Sequence, residues 1–364
     1  MTPREIVRRT LKFETPERIA RDLWVLPRAR EQHPAEVAQI EARFPSDLTG
    51  APSVYRPSAR VRGNAYAKGE HIDEWGCCFT NLQSGIIGEV RKPLIAEASD
   101  WRQLQPPYET LPENKADALE KIKRAYGETE KFMMGGCCPR PWERYQFLRG
   151  SENAMIDMAV RDDDVRALLK RIHEFYLAEY AFWADSCVDA LSFMDDWGSQ
   201  RALLISPAVW RELFKPLYRE YCQIAHSHGK SIFMHSDGHI AAVYDDLIEI
   251  GVDAVNSQLF CMDMADLEQR ARGKITFWGE IDRQHVLPSP NPQDGRDAVR
   301  KAARHFYDTR GGVIAQYELS AESNPAVGMA IFEEWEKVDR ERRAAPDGET
   351  GGRGDGAKQQ RDRK

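Results

Sequence analysis

The chain is expected to fold as an α/β protein, a TIM-type (β/α)8 barrel with an amino-terminal helical and hairpin extension, and three observations lead there. Short apolar, strand-like runs alternate with longer segments whose apolar residues recur at helical spacing, the pattern of parallel β/α units. Six of these runs end abruptly in polar or sulfur-bearing side chains, and a closed barrel gathers its chemistry at the carboxyl ends of its strands. The chain has 364 residues, 42% of them hydrophobic, with nine tryptophans, which is ample for one large core of the size barrels reach.

The elements follow in order along the chain. Thr2-Pro3 supplies a capping residue and a proline at the first helical position, so a helix carrying Ile6, Val7 and Leu11 opens the fold as a lid or brace. Leu23 to Leu26, after Asp22, reads as a strand. From about Pro27 to Ala125 comes a long excursion rich in proline and turn residues, with Tyr66, Trp75, Phe79 and a hairpin-like run from Gly85 to Val90. It either covers the barrel mouth or extends the barrel with an antiparallel hairpin. Strand-like runs then recur: Lys131 to Gly136 leads into Cys137 and Cys138, Asp189 to Met194 into Asp195 and Asp196, and Ser231 to Met234 into His235 and Asp237. Val252 to Val255 leads into Asn256 and Gln258, Ile275 to Trp278 into Glu280 and Asp282, and Val313 to Ala315 into Gln316 and Glu318. Helices are expected between them at Asp164 to Ser186, Ala208 to His228, Ile240 to Ile250, Asp263 to Arg272 and Asp294 to Thr309. One domain therefore spans 1–340. A charged, glycine-rich tail over 341–364 has almost nothing apolar to bury and is expected to be disordered and dispensable for folding.

Composition narrows the function. A formal net charge of −7 argues against a nucleic-acid or anionic-membrane surface, although a local basic pocket for an anionic substrate stays open. Seven cysteines, an odd number that includes the adjacent pairs Cys77-Cys78 and Cys137-Cys138, do not resemble a disulfide framework. With no secretory signal or long apolar run, the cytoplasm is the expected compartment. Cys-x-x-Cys pairs, phosphate-cradling loops and dinucleotide fingerprints are missing, which lowers the weight of zinc ribbons, nucleotide hydrolysis and nicotinamide chemistry.

The stretch His235-Ser-Asp237-Gly238 is the most informative. Residues two apart on a strand share a face, so His235 and Asp237 project side by side as metal or proton ligands; the alternative is a plain strand-to-turn junction. Asp195-Asp196 either orients a substrate or caps the following helix and ties down Arg201. The segment from Cys137 to Arg144 either presents a thiol and two cations at the mouth or ends a strand, with Arg144 pairing locally. Cys261 is either a fourth ligand or a core residue. His226, His228, His239 and His285 are expected at the surface or at helix ends.

Taken together, several of these segments resemble the uroporphyrinogen decarboxylase superfamily: Thr2-Pro-Arg-Glu-Ile-Val, Met194-Asp-Asp-Trp-Gly-Ser-Gln-Arg201, Met234-His-Ser-Asp-Gly238, Leu247-Ile-Glu-Ile-Gly-Val-Asp253 and Phe277-Trp-Gly-Glu-Ile-Asp282. That resemblance implies a β/α barrel and one of two chemistries: cofactor-free decarboxylation of porphyrinogen acetates, or zinc-dependent methyl transfer to or from a corrinoid. The decarboxylases' Trp-Tyr-Met-Arg-Gln-Ala-Gly-Arg signature and late Gly-His-Gly loop are absent; the comparable regions read Asp22-Leu-Trp-Val-Leu-Pro27 and Gly312-Val-Ile-Ala-Gln-Tyr-Glu318. Without an arginine cluster an octacarboxylate lacks counterions. The methyltransferase branch carries His-x-Cys and a later Cys, and His235, Asp237 and either Glu318 or Tyr317 stand at the matching places here.

The expectation is thus a metal-dependent methyltransferase, with zinc on His235, Asp237 and Glu318 and with Asp195, Asp196 and Gln200 orienting the substrate. Glu280 is either a ligand or the acceptor that orients His235. The resemblance implies a small methylated or thiol substrate and a cobalamin or other corrinoid as co-substrate. The chain has no Asp-x-His-x-x-Gly corrinoid signature, so a separate corrinoid protein is the expected partner. The competing readings are a cofactor-free decarboxylase and a non-catalytic barrel that binds a tetrapyrrole or a protein.

Overall fold

Each apolar run in the second half of the chain becomes a strand that is covered on both sides, as parallel β/α units require. In the computed structural model, which describes residues 1–85 and 87–344, β1 (Ala20–Val25) and β2 (Leu48–Gly50) come first. Next β3 (Gly69–Ile72), β4 (Cys78–Asn81) and β5 (Glu89–Val90) form a separate antiparallel sheet. β6 (Phe132–Met134), β7 (Ala190–Met194), β8 (Ser231–Ser236), β9 (Ala254–Ser257), β10 (Thr276–Trp278) and β11 (Val313–Leu319) complete the strands among the described residues. The 8-stranded sheet is parallel and runs β1-β11-β10-β9-β8-β7-β6-β2, so chain order is also the order around the barrel.

The seam between β1 and β2 is closed by Asp47. Its N–H donates to the Arg21 carbonyl (2.9 Å) and its own carbonyl accepts from Phe132 N–H (2.9 Å). Its carboxylate accepts from Arg21 N–H (2.9 Å) and from both terminal nitrogens of Arg18 (2.7 and 2.6 Å). β2 reads Leu-Thr-Gly, three residues with no apolar run, which is why the excursion expected over Pro27 to Ala125 hid a barrel strand. That excursion also holds helices Pro27–Gln32, Pro34–Arg43 and Lys115–Gly127, the last one being the crossover from β2 to β6. The single helix expected over Ala208 to His228 is two, Pro207–Leu213 and Lys215–Ser227. Pro216 lacks an N–H and crowds the preceding turn, so the chain breaks at Phe214.

The first helix, Pro3–Lys12, is capped by Thr2, whose hydroxyl accepts from Glu5 N–H (3.2 Å). It braces the amino-terminal end of the barrel, away from the mouth. Its Ile6, Val7 and Leu11 join Ala20, Phe132, Ala190, Phe233, Ala254 and Ile314 in a core that fills the barrel interior from below. The brace is latched by Asp189, whose side chain is 1% exposed and which sits just ahead of β7. Asp189 accepts from Arg4 (3.1 Å), Arg8 (2.6 Å), Tyr126 (3.1 Å) and Met133 N–H (2.8 Å).

The last helix, Pro325–Ala344, runs beyond the 340 boundary expected for the domain, and the remainder of the expected tail lies outside the described residues. No described helix is long and apolar enough to cross a membrane. Asp189→Ala leaves the buried Met133 N–H and the Arg4 guanidinium without their acceptor and should lower the unfolding free energy by about 1–3 kcal/mol in urea titrations; an unchanged stability would contradict the latch.

Candidate metal centre at the barrel mouth

The register of the parallel strands decides which side chains meet. Met194 on β7 lies beside His235 on β8, and His235 beside Asn256 on β9. The residues just beyond that level, on β7 and β8, are Asp195, Asp196 and Asp237. Among the described residues one cluster could hold a metal ion: Asp196, His235 and Asp237, each offering a ligand atom, all within 4.8 Å of one another. His235 Nε2 lies 3.6 Å from Asp196 Oδ1 and 3.7 Å from Asp237 Oδ1.

The state of the imidazole follows from its neighbours. Asn256 Nδ2 donates to the Trp278 carbonyl (2.5 Å) and to Gln316 Oε1 (3.0 Å), which turns its Oδ1 toward His235 Nδ1 at 2.7 Å. An amide oxygen only accepts, so Nδ1 carries the proton and the Nε2 lone pair is left facing the two carboxylates. Metal-ligating histidines are oriented in this way, with the far ring nitrogen donating to a fixed acceptor. The fit to a cation has a second support: Asp237 Oδ1 is buried and has no hydrogen-bond partner. The donor set of one imidazole and two carboxylates suits zinc with an open position, and equally other divalent ions that accept oxygen.

Two glycines make this geometry possible. The loops after β7 and β8 touch backbone to backbone, with Gly198 N–H donating to the Asp237 carbonyl (3.0 Å) and His239 N–H to the Ser199 carbonyl (2.8 Å). A Cβ on Gly198 would come 2.2 Å from His239 N, and one on Gly238, whose φ is +78°, 2.1 Å from Gly198 O. Asp196 Oδ1 also accepts from Asp237 N–H (2.9 Å), which ties the two ligand-bearing loops together.

The remaining expected site residues divide. Glu318 is not in the cluster, because Arg283 stands between it and Asp237. Its guanidinium bonds Glu318 Oε1 (3.0 Å) and pairs with Asp237 Oδ2, with Glu280 Oε1 at 3.8 Å. Asp196, expected to orient a substrate, takes the place expected for Glu318. Tyr317 points out of the barrel and packs on Phe332, ring centroids 4.8 Å apart. Asp195 is fully buried and closed to any substrate: it accepts from Trp142 N–H (3.0 Å), Glu143 N–H (2.8 Å) and the Tyr218 hydroxyl (2.6 Å). It therefore caps the helix Pro141–Arg149 from a distance, rather than the helix that follows it.

Glu280 does not orient His235, since Asn256 does. Glu280 is 2% exposed, burial pushes its carboxyl up to about 8, and its Oε1 has no hydrogen-bond partner. It lines a cavity of about 200 Å³ with Gln258, Phe260, Cys261 and Arg283, and the exposed Gln200 sits at its rim. Cys261 donates its thiol to the Gln258 carbonyl (3.1 Å) and is not among the clustered ligands. His226 and His285 pair with Asp253 (3.0 Å) and Asp282 (3.1 Å), away from the cluster.

Four contributors had no distinctive signal in the sequence. Arg283 lies in a turn after β10. Trp24 places its ring 5.3 Å from that of His235, at a 54° tilt. Asp22, whose carboxyl is raised by burial, accepts from the indole N–H groups of Trp24 and Trp278 (both 3.0 Å) and from Ser46 (2.8 Å), fixing the aromatic floor under the histidine. Glu143 stands near Asp196 and His235, and burial raises its carboxyl.

The fold and site together define a β/α-barrel protein with polar chemistry gathered at the carboxyl ends of its strands. Residues 75–322, more than half of the chain, match the model of the uroporphyrinogen decarboxylase (URO-D) family, and the chain belongs to that family. Among solved structures it is similar to a methyltransferase from Methanosarcina mazei, with a TM-score of 0.61 and 12% identity over 93% of this chain and 99% of that one. It is also similar to a B12-independent methionine synthase from Shewanella sp. W3-18-1, with a TM-score of 0.41 and 11% identity over 65% and 70% of the two chains. The first of these likenesses, at 12% identity, speaks to the fold alone. No curated protein sequence matches the chain.

Asn256→Ala should weaken divalent-ion affinity about 10- to 100-fold with the fold intact by circular dichroism, as measured by competition with a chromophoric chelator. Unchanged affinity would show that the imidazole needs no orienting acceptor.

Proposed function

We propose that the protein is a metal-dependent methyltransferase, moving a methyl group between a small O-, N- or S-methyl compound or thiol and a corrinoid carried by a separate protein. The observation that carries this reading is the Asp196–His235–Asp237 cluster, with the Nε2 lone pair of its histidine held free by Asn256. A divalent ion held by these three residues supplies Lewis acidity that stabilises charge developing on the heteroatom that gains or loses the methyl group.

The chain's own groups supply the rest. Asn256 keeps the proton on Nδ1, so Nε2 stays a lone-pair donor. Arg283 holds Asp237 and Glu318 in place and partly balances the acids around it. The Glu280 carboxyl, pushed up to about 8, carries its proton at neutral pH. Its unpartnered Oε1 can pass that proton to a heteroatom released as the methyl departs. Asp195 stays out of the chemistry and holds the start of the helix that carries Glu143.

The surroundings weigh against a porphyrinogen decarboxylase. Asp237 and Glu318 already pair with Arg283, and Asp196 stands beside Asp237, so an octacarboxylate would meet repulsion at this mouth where it needs counterions.

Purified protein should bind about one divalent ion per chain, zinc being the first candidate. His235→Ala and Asp196→Ala should lose the ion, while Glu318→Ala should keep it. With methylcobalamin and 2-mercaptoethanol as a probe acceptor, methyl transfer should occur and stop on chelation. Full metal retention in His235→Ala, or rapid chelator-insensitive release of carbon dioxide from uroporphyrinogen, would overturn the proposal.

A further inference from the structure

A second and larger cavity, about 440 Å³, opens between the extension and the barrel. One wall comes from residues 55–61 and from Glu74 and Trp75. The other comes from Cys138, Arg140 and Arg144, which follow β6, and from Phe175, Tyr176 and Glu179 on the helix Asp163–Ala184. Its size is in the range of small-molecule sites, roughly 300–1,000 Å³.

The Cys137-to-Arg144 segment meets the extension here. Arg144 does not pair locally. Its buried guanidinium pairs with Asp73 and lies 3.6 Å from Glu74, both in the extension, and sits 4.9 Å over the Trp75 ring. Trp75, Phe175 and Tyr176 pack on one another, with centroids 5.0 to 5.8 Å apart, and form an apolar wall.

The charges facing this space are unequally engaged. Glu74 is answered by Arg144, and burial raises the Glu179 carboxyl to about 7. Arg56 has Glu113 at 3.4 Å. Arg140 makes no side-chain hydrogen bond among the described residues; the nearest acid, Glu143, is 3.8 Å away. The Nε of Arg144 is buried without a partner. A planar guanidinium fork with open donors beside an aromatic wall suits a carboxylate attached to a flat apolar body.

We propose that this cavity binds a small aromatic carboxylate, with the carboxylate on Arg140 and the ring against Trp75, Phe175 and Tyr176. Arg140 lies 3.8 Å from Glu143, so the carboxylate is the end of such a ligand that lies nearest the helix carrying Glu143. Binding of the carboxylate here is independent of the methyltransferase reading.

The test is isothermal titration of the full chain with 4-methoxybenzoate and with uncharged 4-methoxybenzyl alcohol, for wild type, Arg140→Gln, Arg140→Lys and His235→Ala. Wild type and His235→Ala should bind the carboxylate alike. Arg140→Gln should lose at least about tenfold in affinity, Arg140→Lys should retain part of it, and the alcohol should bind as weakly as the carboxylate does to Arg140→Gln. No binding to wild type, equal binding of acid and alcohol, or an unaffected Arg140→Gln would overturn the site. Because His235→Ala reports metal and the Arg140 variants report the carboxylate, either reading can fail without the other.

Discussion

The hydrogen bond from His235 Nδ1 to Asn256 Oδ1, 2.7 Å long, is the contact on which the mouth of this barrel depends. It exists because β8 and β9 are paired in parallel with His235 opposite Asn256, and a slip of one strand by one residue would turn its side chain out of the barrel. It has one sense, because Asn256 spends both amide protons on Trp278 and Gln316. From that single bond follow the tautomer of the imidazole, the direction of Nε2 and the meeting with Asp196 and Asp237. The barrel's lower half serves the same end: Asp22 fixes Trp24 beneath the histidine, and the Asp189 latch holds the first helix in the barrel floor.

Much of this architecture was legible in the sequence, and where it was not the reasons are physical. Seven of the eight barrel strands announce themselves as apolar runs or as a strand after Asp22, while β2 does not. Three residues, Leu-Thr-Gly, are too short for any period, and Asp47 replaces a ladder at the seam. His235 and Asp237 could be paired from strand alternation alone. Choosing Asp196 over Glu318 could not be done that way, because it depends on Arg283, a turn residue whose reach across the mouth has no local signature. Asp195 and Asp196 are adjacent and chemically identical, yet one is buried under a helix terminus and the other faces the histidine. Only the turn of the backbone after β7 separates them.

Membership of the URO-D family combined with an oxygen-rich donor set gives this protein its particular interest. The thiolates that the resemblance to methyltransferases implies are replaced by carboxylates, and the nearby thiol of Cys261 is engaged with a backbone carbonyl. Carboxylates are harder ligands than thiolates and hold a wider range of divalent ions. The cavity beside Arg140 is lined by guanidinium groups and aromatic rings, whereas the smaller one at the mouth holds Glu280 and Asp282.

X-ray absorption at the zinc edge on the metal-loaded protein tests the central claim most directly, because it reads the atoms bound to the ion. The account predicts one imidazole nitrogen at about 2.0–2.1 Å with the remaining neighbours all oxygen at about 2.0–2.2 Å. A sulfur shell near about 2.3 Å, or a spectrum without imidazole scattering, would contradict it.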